Sequence, residues 1–486
     1  IPHMNWITLI EIIYAVIVAL VCLRIVYDTR SSSKTLAYLL LAIFVPVGGI
    51  IFYFVFGVNY RKRLIYSKKL IADEVRLKEL DRHTVSSSAR ILKKHAGEVG
   101  DGHSLVNLLM NESRSPLTSG NAVKLLINGE EKFPEVIDAL KNARHHIHLE
   151  YYIYEEDQIG RRIKEILVQK ALEGIQVRMI YDGFGSSSIS GELIDELRLA
   201  GAEVYPFHRI RLLLFANRIN YRNHRKIIIV DGQVGFLGGI NISDRYINNG
   251  TNESAVYWRD THLRIDGPGI MFLQHLFLCD WNFCSGQKIQ PETAYFNAMP
   301  VHGSNTVLQI AASGPDSPAS TIKLSFLKAI NIAKSEILLT TPYLIPGGSI
   351  MDALKVAALG GVRVRILVPG ISDSNLVNAA AWSNYGELLK AGVEIHLYQK
   401  GFIHAKTMVF DDSISVVGTA NMDHRSFDLN FEVNAIIYAA DVAEQLRKSF
   451  LADLRSSLKI TFDDWKSQPL HKQMIERIAR LLSPLL

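Results

Sequence analysis

The stretch 224–241, HRKIIIVDGQVGFLGGIN, sets the architecture expected for this chain, because residues 404–421, HAKTMVFDDSISVVGTAN, repeat its pattern. Both copies carry histidine, lysine, aspartate, glycine and asparagine at identical spacing. Five residue types at fixed positions match by chance on the order of once in a few million starting points, at uniform residue usage. Two copies therefore indicate a duplicated structural unit.

The repetition extends beyond these two stretches. Residues 174–180 resemble 361–367, and residues 200–204 resemble 391–395, with a glycine where each helix would end before a strand. From about residue 121 onward, short β-rich runs alternate with helical patterns, which is typical of an α/β fold. A twofold repeat of this length predicts two tandem domains, each a β-sheet flanked by helices, that share one active site.

Each copy of the motif enters a predicted strand. Residues two apart on a strand share a face, so His224 and Lys226 point the same way, as do His404 and Lys406. A second strand and a turn of small residues follow in both copies, and they bring an asparagine to the same pocket. The duplication therefore supplies two half-sites of the same composition.

Phosphoryl transfer is the chemistry that this set of side chains favours. One neutral imidazole attacks the phosphorus of a phosphodiester, and a second protonates the departing alcohol and activates the incoming one. Two lysines and two amides hold the non-bridging oxygens as charge develops. No metal and no cofactor is needed. The candidate catalytic residues are His224, Lys226, Asp231, His404, Lys406 and Asp411, and the candidate phosphate-binding residues are Asn241 and Asn421.

The doubled H-x-K-x4-D pattern resembles the phospholipase D superfamily over most of residues 121–486. The resemblance implies that the motif aspartates, Asp231 and Asp411, tie strand to loop and stay outside the direct chemistry. It also implies that His224 is the nucleophile and His404 the acid and base, although a symmetric pair of histidines does not itself distinguish the two roles.

Two further carboxylates are candidates for orienting the histidines. Aligning residues 259–262 with 431–434 sets Asp260 opposite Glu432, each on the strand that follows its motif. There a carboxylate can accept the second ring N–H of a histidine, which fixes the tautomer and stabilises the imidazolium. The alternative for each is a surface salt bridge.

The two halves also differ. Gly239 stands where the second copy has Thr419, which removes a hydroxyl from the first half, whereas the superfamily often has Gly-Ser there. Residues 209–218 form a basic and apolar insertion with no counterpart in the second half. Our hypothesis is that the insertion dips into the lipid headgroup layer, and a buried strand flanked by arginines is the alternative.

Two apolar runs at the start of the chain, at about 6–26 and 36–58, are each near the roughly 20 residues that span a bilayer as a helix. The polar residues 28–34 between them predict a transmembrane hairpin. More basic residues follow the second run than occupy the turn, so the positive-inside rule places the catalytic domains in the cytoplasm. A cleaved signal peptide is the alternative interpretation. The expected segments are two transmembrane helices at 4–58, a connector at 59–120, and domains at 121–300 and 301–486.

Within the superfamily, several strings are similar to those of bacterial cardiolipin synthases. This resemblance implies condensation of two phosphatidylglycerol molecules to cardiolipin with release of glycerol, in a multi-pass protein of the bacterial inner membrane. The expected partners are anionic phospholipid and the membrane but not nucleic acid, and a homo-oligomer is left open. The strings are EYYI (150–153), RNHRKI (222–227), WRDTH (258–262), SGPD (313–316), RSF (425–427) and NFE (430–432).

Three rival functions share the same motifs. A hydrolytic phospholipase D or a headgroup exchanger would pass the same intermediate to water or to another alcohol. A membrane-tethered nuclease would need a continuous basic groove with stacking aromatics, whereas the basic residues here are local. A catalytically dead scaffold is disfavoured because both motifs are complete.

Two other signals carry little weight. The histidines at 145, 146 and 148 lack the partner spacing of a metal site. The C-terminal stretch 471–482 has apolar residues at helical spacing, and we expect it to pack on the catalytic domain rather than to bind the membrane.

Overall fold

The described part of the chain falls into two compact units, of which the smaller holds the N-terminal helices and the larger holds both motif copies. The computed structural model describes residues 6–29, 32–54, 86–207, 221–248, 256–290, 292–317 and 319–482. The insertion at 209–218, for which a contact with lipid headgroups was predicted, lies outside the described residues.

The smaller unit begins with helix α1 (Trp6–Asp28). Its stretch Thr8–Asp28 is the one candidate membrane span, by length and composition, among the described residues. Near the end of the helix, Arg24 Nε donates a hydrogen bond to Asp28 Oδ2 at 2.7 Å, which gives both charges a partner. The first predicted span is therefore present as a continuous apolar helix.

The second predicted span, at 36–58, is not one continuous helix. It forms α2 (Ser32–Phe44) and α3 (Pro46–Phe52), and residues 55–58 lie outside the described part. Pro46 explains the break, because proline has no N–H to donate and its ring clashes with the carbonyl four residues earlier. A run of apolar residues did not reveal this interruption.

In the larger unit, three helices occupy part of the expected connector: α4 (86–94), α5 (Ala96–Val99) and α6 (His103–Ser113). Leu105, Val106 and Leu109 of α6 are buried in the hydrophobic core of the second half. The first strand then begins at Thr118, three residues before the expected domain start.

The first half of the larger unit alternates strands and helices before the motif and becomes largely antiparallel after it. Its elements are β1 (Thr118–Ile127), α7 (Asn128–Lys141), β2 (His146–Tyr151), α8 (Gln158–Leu172), β3 (Gln176–Tyr181), α9 (Gly191–Leu199), β4 (Glu203–Pro206), β5 (Lys226–Val230), β6 (Val234–Gly238), β7 (Tyr257–Arg259), β8 (Thr261–Asp266) and α10 (Ile270–Ser285).

The second half repeats that order and adds C-terminal helices. Its elements are β9 (Thr306–Ser313), α11 (Thr321–Ile332), β10 (Glu336–Thr340), β11 (Leu344–Ile345), α12 (Gly348–Leu359), β12 (Arg363–Pro369), α13 (Asn375–Lys390), β13 (Glu394–Tyr398), β14 (Gly401–Ile403), β15 (Thr407–Phe410), β16 (Ile414–Gly418), β17 (Met422–Asp423), α14 (His424–Asp428), β18 (Glu432–Tyr438), α15 (Ala440–Leu454), β19 (Ser457–Ile460), α16 (Phe462–Lys466) and α17 (Leu470–Leu482).

The strands of both halves join in one sheet of 15 strands, in the order β19-β13-β12-β10-β15-β16-β18-β9-β1-β8-β6-β5-β2-β3-β4. Apart from the extra edge strand β19, the order reads the same from both ends if β1 is matched with β9, β2 with β10, and β5 with β15. The halves meet at the antiparallel pair β1–β9, where Thr118 lies opposite Leu308. The expected α/β fold with tandem domains is confirmed.

Two short pairings link the halves away from the main sheet. Strand β14, just before the second motif, pairs in parallel with β7, just before Asp260. Asn223, just before the first histidine, bridges in parallel to Phe431, just before Glu432. The backbone before each histidine is therefore fixed to the opposite half.

Candidate active site

Main-chain hydrogen bonds between the halves set the position of both motif histidines. His404 donates its amide N–H to the carbonyl of Arg259 at 2.7 Å, and His224 donates to the carbonyl of Phe431 at 3.0 Å. Phe431 in turn donates to the carbonyl of Arg222 at 2.8 Å. Each histidine thus lies just before its own strand, beside the chain of the other half.

Each imidazole bonds a carboxylate of the opposite half. His404 Nδ1 lies 2.7 Å from Asp260 Oδ2, and His224 Nδ1 lies 2.9 Å from Glu432 Oε2. Both carboxylates are fully buried. A carboxylate that accepts this bond leaves the proton on Nδ1 and the lone pair on Nε2 of the neutral ring. The predicted histidine-orienting residues therefore contact the histidines, and they do so across the repeat.

Each motif lysine bonds the main chain of its own motif histidine. Lys226 Nζ donates to the carbonyl of His224 at 2.7 Å, and Lys406 Nζ donates to the carbonyl of His404. Burial lowers the pKa of Lys226 to about 7 and that of Lys406 to about 8, although Glu432 and Asp260 oppose the shift. Near neutral pH, each lysine is therefore a mixture of charged and neutral forms, and a bound phosphate would keep both charged.

The charges of the two lysines reach both histidines. Burial lowers the pKa of His224 well below its usual value, and Lys226 and Lys406 add to the effect. Burial likewise lowers the pKa of His404 to about 4, with contributions from Lys406 and, across the repeat, Lys226. Both imidazoles are therefore neutral at pH 7 while no anion is bound, which is the state that a nucleophile needs.

The two carboxylates differ in protonation. Burial raises the pKa of Glu432 to about 7, although Lys226 and the hydroxyl of Thr419 oppose it. Burial alone would raise the pKa of Asp260, but the charge of Lys406 and the hydrogen bond from His404 outweigh it, so that the pKa is lowered. At neutral pH, Asp260 is a full anion beside its histidine, whereas Glu432 is only partly ionised.

The Gly/Thr difference between the halves lies at these carboxylates. Thr419 Oγ1 donates to Glu432 Oε2 at 2.5 Å, and Asn430 Nδ2 donates to Glu432 Oε1 at 3.1 Å. In the first half, a Cβ at Gly239 would overlap the carboxylate of Asp260. Position 239 therefore has to be glycine, because Asp260 lies too close for a side chain. At the equivalent position of the second half, the hydroxyl of Thr419 instead bonds Glu432.

The two predicted phosphate-binding asparagines have unequal surroundings. Asn241 Nδ2 donates to Tyr246 Oη at 2.8 Å, and Asn241 Oδ1 accepts from the N–H of Ile153 at 3.2 Å. Asn421 Oδ1 is buried without a hydrogen-bond partner among the described residues, and its main-chain N–H donates to Ser426 Oγ at 3.1 Å. The Asn241 amide is held by the protein, whereas the Asn421 carbonyl oxygen is unsatisfied.

The motif aspartates do not lie with the histidines. Asp231 accepts hydrogen bonds from the N–H groups of residues 144–146 at 2.8–2.9 Å, and Asp411 accepts from those of residues 334–336 at 2.7–2.9 Å. Both sit in left-handed turns at the far ends of β5 and β15, with φ of 54° and 50°. Each aspartate therefore ties the end of its strand to a neighbouring loop, which is the role that the resemblance implies.

Aromatic side chains around the histidines were missed by sequence reasoning. Tyr152 packs against His224 with ring centroids 4.8 Å apart. Trp258 and Phe402 lie 5.6 and 5.8 Å from the ring of His404. The sequence did contain a signal for Phe402. It lies two residues before His404, and residues two apart in an extended chain share a face.

The same position before His224 holds a cation. Arg222 is buried, and its guanidinium lies 3.9 Å from the ring centroid of Phe184. Arg425 is close enough to lower the pKa of both Arg222 and His224, after the larger effect of burial in each case. The His224 side of the site is thus rich in cations, and the His404 side is rich in aromatic rings.

Of the three histidines at 145, 146 and 148, His146 and His148 are buried in the core and His145 is exposed. His146 Nε2 and His148 Nδ1 lie 3.3 and 3.2 Å from Gln274 Oε1, and His148 stacks on Phe277. Within the described ranges there is no group of three or more His, Cys, Asp or Glu side chains arranged to hold a metal ion.

Comparison with family models gives two matches. The model described as "Cardiolipin synthase, PLD-like domain" matches residues 136–265 and 326–454, once in each half. The model described as "Phospholipase_D-nuclease N-terminal" matches residues 13–57.

Relatives match nearly the whole chain. A cardiolipin synthase of Alkalihalophilus pseudofirmus is 40% identical over 477 residues, which cover 98% of this chain and 94% of the relative. The major cardiolipin synthase ClsA of Bacillus subtilis is 39% identical over 481 residues, which cover 98% and 99%.

Among solved structures, phosphatidylserine synthase from Haemophilus influenzae is similar with a TM-score of 0.60. It is 12% identical, and the match covers 79% of this chain and 100% of that one. At this identity the likeness concerns the fold alone.

Proposed function

Because the chain belongs to the bacterial cardiolipin synthases of the phospholipase D superfamily, we propose that it condenses two phosphatidylglycerol molecules through a phosphohistidine intermediate. The enzyme is a phosphatidyltransferase that acts on phospholipids and associates with membranes. We further propose a mechanism, roles for the site residues and a membrane topology.

One observation carries the mechanism. Each motif histidine bonds a carboxylate of the opposite half, His224 to Glu432 and His404 to Asp260. Such crossing favours a single active site built by the domains at 121–300 and 301–486 together. The free Nε2 of His224 then faces the phosphorus, and Nε2 of His404, which takes up a proton when the anionic substrate binds, faces the leaving oxygen on the opposite side.

His224 is the nucleophile in this mechanism. Its Nε2 attacks the phosphorus of the donor, the bond from phosphorus to the glycerol oxygen breaks, and His404 gives its Nε2 proton to that oxygen. The hydroxyl of the second phosphatidylglycerol then gives its proton to His404 and attacks the phosphorus, and the bond to His224 breaks. Cardiolipin and glycerol are the products, and the enzyme returns to its initial state.

The carboxylates support this division of roles. Ionised Asp260 stabilises the imidazolium form of His404, which an acid must adopt when the anionic substrate arrives. Glu432 shares a proton near pH 7 and therefore stabilises a charged His224 less. His224 stays neutral for attack, and ionised Glu432 then balances the charge of the phosphohistidine.

The transferred phosphate lies between the lysines in the proposed complex. Lys226 and Lys406 neutralise its non-bridging oxygens, and their buried ammonium groups need no reorganisation during the reaction. Asn421 Nδ2, which also bonds the carboxyl of Asp423, contributes a donor, and Asn241 does so after exchanging its bond to Tyr246. Asp231 and Asp411 hold the strands and touch no substrate.

For the membrane region, we propose a hairpin in which α1 crosses the bilayer and α2 with α3 returns. The basic residues that follow the hairpin favour a cytoplasmic location of the catalytic domains in the bacterial cell, by the positive-inside rule. Pairing of Asp28 with Arg24 supports a location at one interface for the end of α1, because a lone charge in hydrocarbon is costly.

The test is incubation of the chain with phosphatidylglycerol vesicles, followed by quantification of cardiolipin, phosphatidic acid and glycerol. We expect cardiolipin and glycerol in equal amounts, no measurable turnover by the His224→Ala enzyme, and a large loss of rate in the His404→Ala enzyme. Phosphatidic acid as the main product would favour the hydrolase. Parent rates in either histidine variant would overturn the mechanism.

A further inference from the structure

Helix α17 presents its apolar side chains to solvent. Leu470, Met474, Ile475, Ile478 and Leu481 are each more than half exposed. At about 100° per residue along a helix, these five positions fall within an arc about 140° wide. Most of this apolar arc is uncovered within the part of the chain that the structure describes.

The opposite side of the helix holds it on the protein. Glu476 and Ala479 are buried, α17 packs along α13, and Arg480 donates a hydrogen bond to Glu387 at 3.2 Å. The expected packing on the catalytic domain is therefore present, but it uses the polar side. Met474, Ile475 and Ile478, which contributed to that expectation, are exposed instead.

Charge identifies the surface that fits the apolar arc. Lys472 and Arg477 are exposed beside it. Helices that lie in a membrane interface combine a wide apolar face with lysine and arginine on the polar face. Cations at this depth are attracted to anionic headgroups. The substrates of the family are phospholipids, and α1 of the same chain has the length and composition of a membrane span.

A second copy of the chain is the competing occupant. A stable dimer interface buries about 800 Å² on each partner, from roughly 20–30 residues. One face of a helix of 13 residues does not supply that area. A bilayer needs no complementary shape, and five aligned apolar side chains with adjacent cations meet its requirements.

We propose that α17 inserts its apolar arc into the headgroup layer of an anionic phospholipid bilayer and forms a second membrane contact of the enzyme. The contact holds the catalytic unit to the lipid surface that supplies both substrates. The inference rests on the membrane association of the family and is independent of the phosphohistidine mechanism.

The test uses the full chain with Ile475→Glu and Ile478→Glu combined. The matched control combines Leu172→Glu and Leu199→Glu, two exposed leucines on α8 and α9 of the first half. Activity is measured on phosphatidylglycerol vesicles and on short-chain phosphatidylglycerol below its micellar concentration. Hydrogen exchange of residues 470–482 is compared between phosphatidylglycerol and phosphatidylcholine vesicles.

We expect the α17 variant to lose vesicle activity by about fivefold or more and to keep its activity on the monomeric lipid, while the control keeps both. The parent helix should exchange more slowly on phosphatidylglycerol than on phosphatidylcholine. Equal vesicle activity in variant and parent would overturn the proposal. A parent chain that is inactive on both substrates would instead overturn the proposed function.

A second variant guards against misfolding of the first. Lys472→Gln with Arg477→Gln leaves the apolar arc intact, and each lost charge should lower the preference for phosphatidylglycerol vesicles by about fivefold. Unchanged preference would contradict the proposal. A parent dimer in detergent that becomes monomeric in the Ile475→Glu, Ile478→Glu variant, with exchange independent of the lipid, would assign the arc to a second copy instead.

Discussion

Glu432 Oε2 lies 2.9 Å from Nδ1 of His224, although 208 positions separate the two residues along the chain. The equivalent contact of the other half joins Asp260 to His404 at 2.7 Å. The two contacts have the same geometry but different acids, and burial raises the pKa of Glu432 to about 7 while that of Asp260 is lowered. Several consequences of this inequality can be measured.

The roles of the histidines predict different responses to the leaving group. With a phosphatidyl ester of p-nitrophenol, which departs without a proton, His404→Ala should still release a burst of p-nitrophenol. On phosphatidylglycerol the same variant should lose roughly 10²–10⁴-fold in rate, because the general acid is missing. His224→Ala should give no burst of p-nitrophenol in a stopped-flow assay, because it lacks the nucleophile. A burst in His224→Ala but not in His404→Ala would reverse the assignment.

The lysines predict the alkaline side of the pH profile. Each is charged below its pKa and neutral above it, so kcat/KM should fall as the pH rises through about 7 and 8, the pKa values of Lys226 and Lys406 in the free enzyme. In Lys226→Arg, that residue no longer titrates, so the fall should begin at higher pH even if the maximal rate is lower. An unchanged alkaline limb in the variant would assign the fall to another group.

Thr419 predicts the acidic side of the profile. Its hydroxyl bonds Glu432 and favours the ionised form, so Thr419→Val should raise the pKa of Glu432 above about 7. If ionised Glu432 balances the phosphohistidine, kcat/KM falls as the pH drops through that pKa, and the variant should show the fall at higher pH. Thr419→Ser keeps the hydroxyl and is the matched control. Identical acid limbs in the valine and serine variants would rule out this role.

Gly239 predicts a steric limit in the first half. Gly239→Ala would drive a methyl group into the carboxylate of Asp260 and displace it from His404. A shift of about 1 Å at a catalytic group costs on the order of a hundredfold in rate, so kcat should fall by that order. Gly191→Ala on α9, where a Cβ meets nothing within 4 Å, is the control that should keep full activity. Comparable kcat values for the two variants would show that the aspartate tolerates the methyl group.

The motif aspartates predict a loss of stability without a loss of chemistry. Asp231→Asn places an amide where the carboxylate accepts three main-chain N–H groups, and asparagine tolerates the left-handed turn. We expect the free energy of unfolding to drop by about 1–3 kcal/mol, with an unchanged kcat at a temperature where the variant is folded. Asp411→Asn should behave alike. A large drop in kcat at unchanged thermal stability would show that these aspartates take part in the reaction.

Much of the fold and of the candidate site follows from the duplication. The two spaced motifs predicted tandem α/β domains and superfamily membership, and both predictions are confirmed. Alignment of the repeats also selected Asp260 and Glu432. It did not reveal that each carboxylate bonds the histidine of the other half, because crossing depends on how β7 and β14 pair in space.

Residue patterns did not predict three other features: the break between α2 and α3, the exposure of α17 and the surroundings of Asn241. Hydropathy averages over a window, so it passed over the break that Pro46 introduces between α2 and α3. Helical spacing located the apolar side of α17, but spacing does not state whether a neighbour or solvent faces that side. The environment of Asn241 depends on Tyr246, whose proximity is a tertiary contact.

The exchange of carboxylates between halves makes the molecule resemble a dimer in which each subunit supplies the acid that bonds the histidine of the other. A half expressed alone would keep its histidine and lysine and lose the acid that orients the ring, so it should be inert even if folded. Mixing the two separated halves should restore turnover in proportion to the complex they form. Because both copies lie on one chain, turnover does not depend on the concentration of a separate half. The two copies can also differ in sequence and still remain paired.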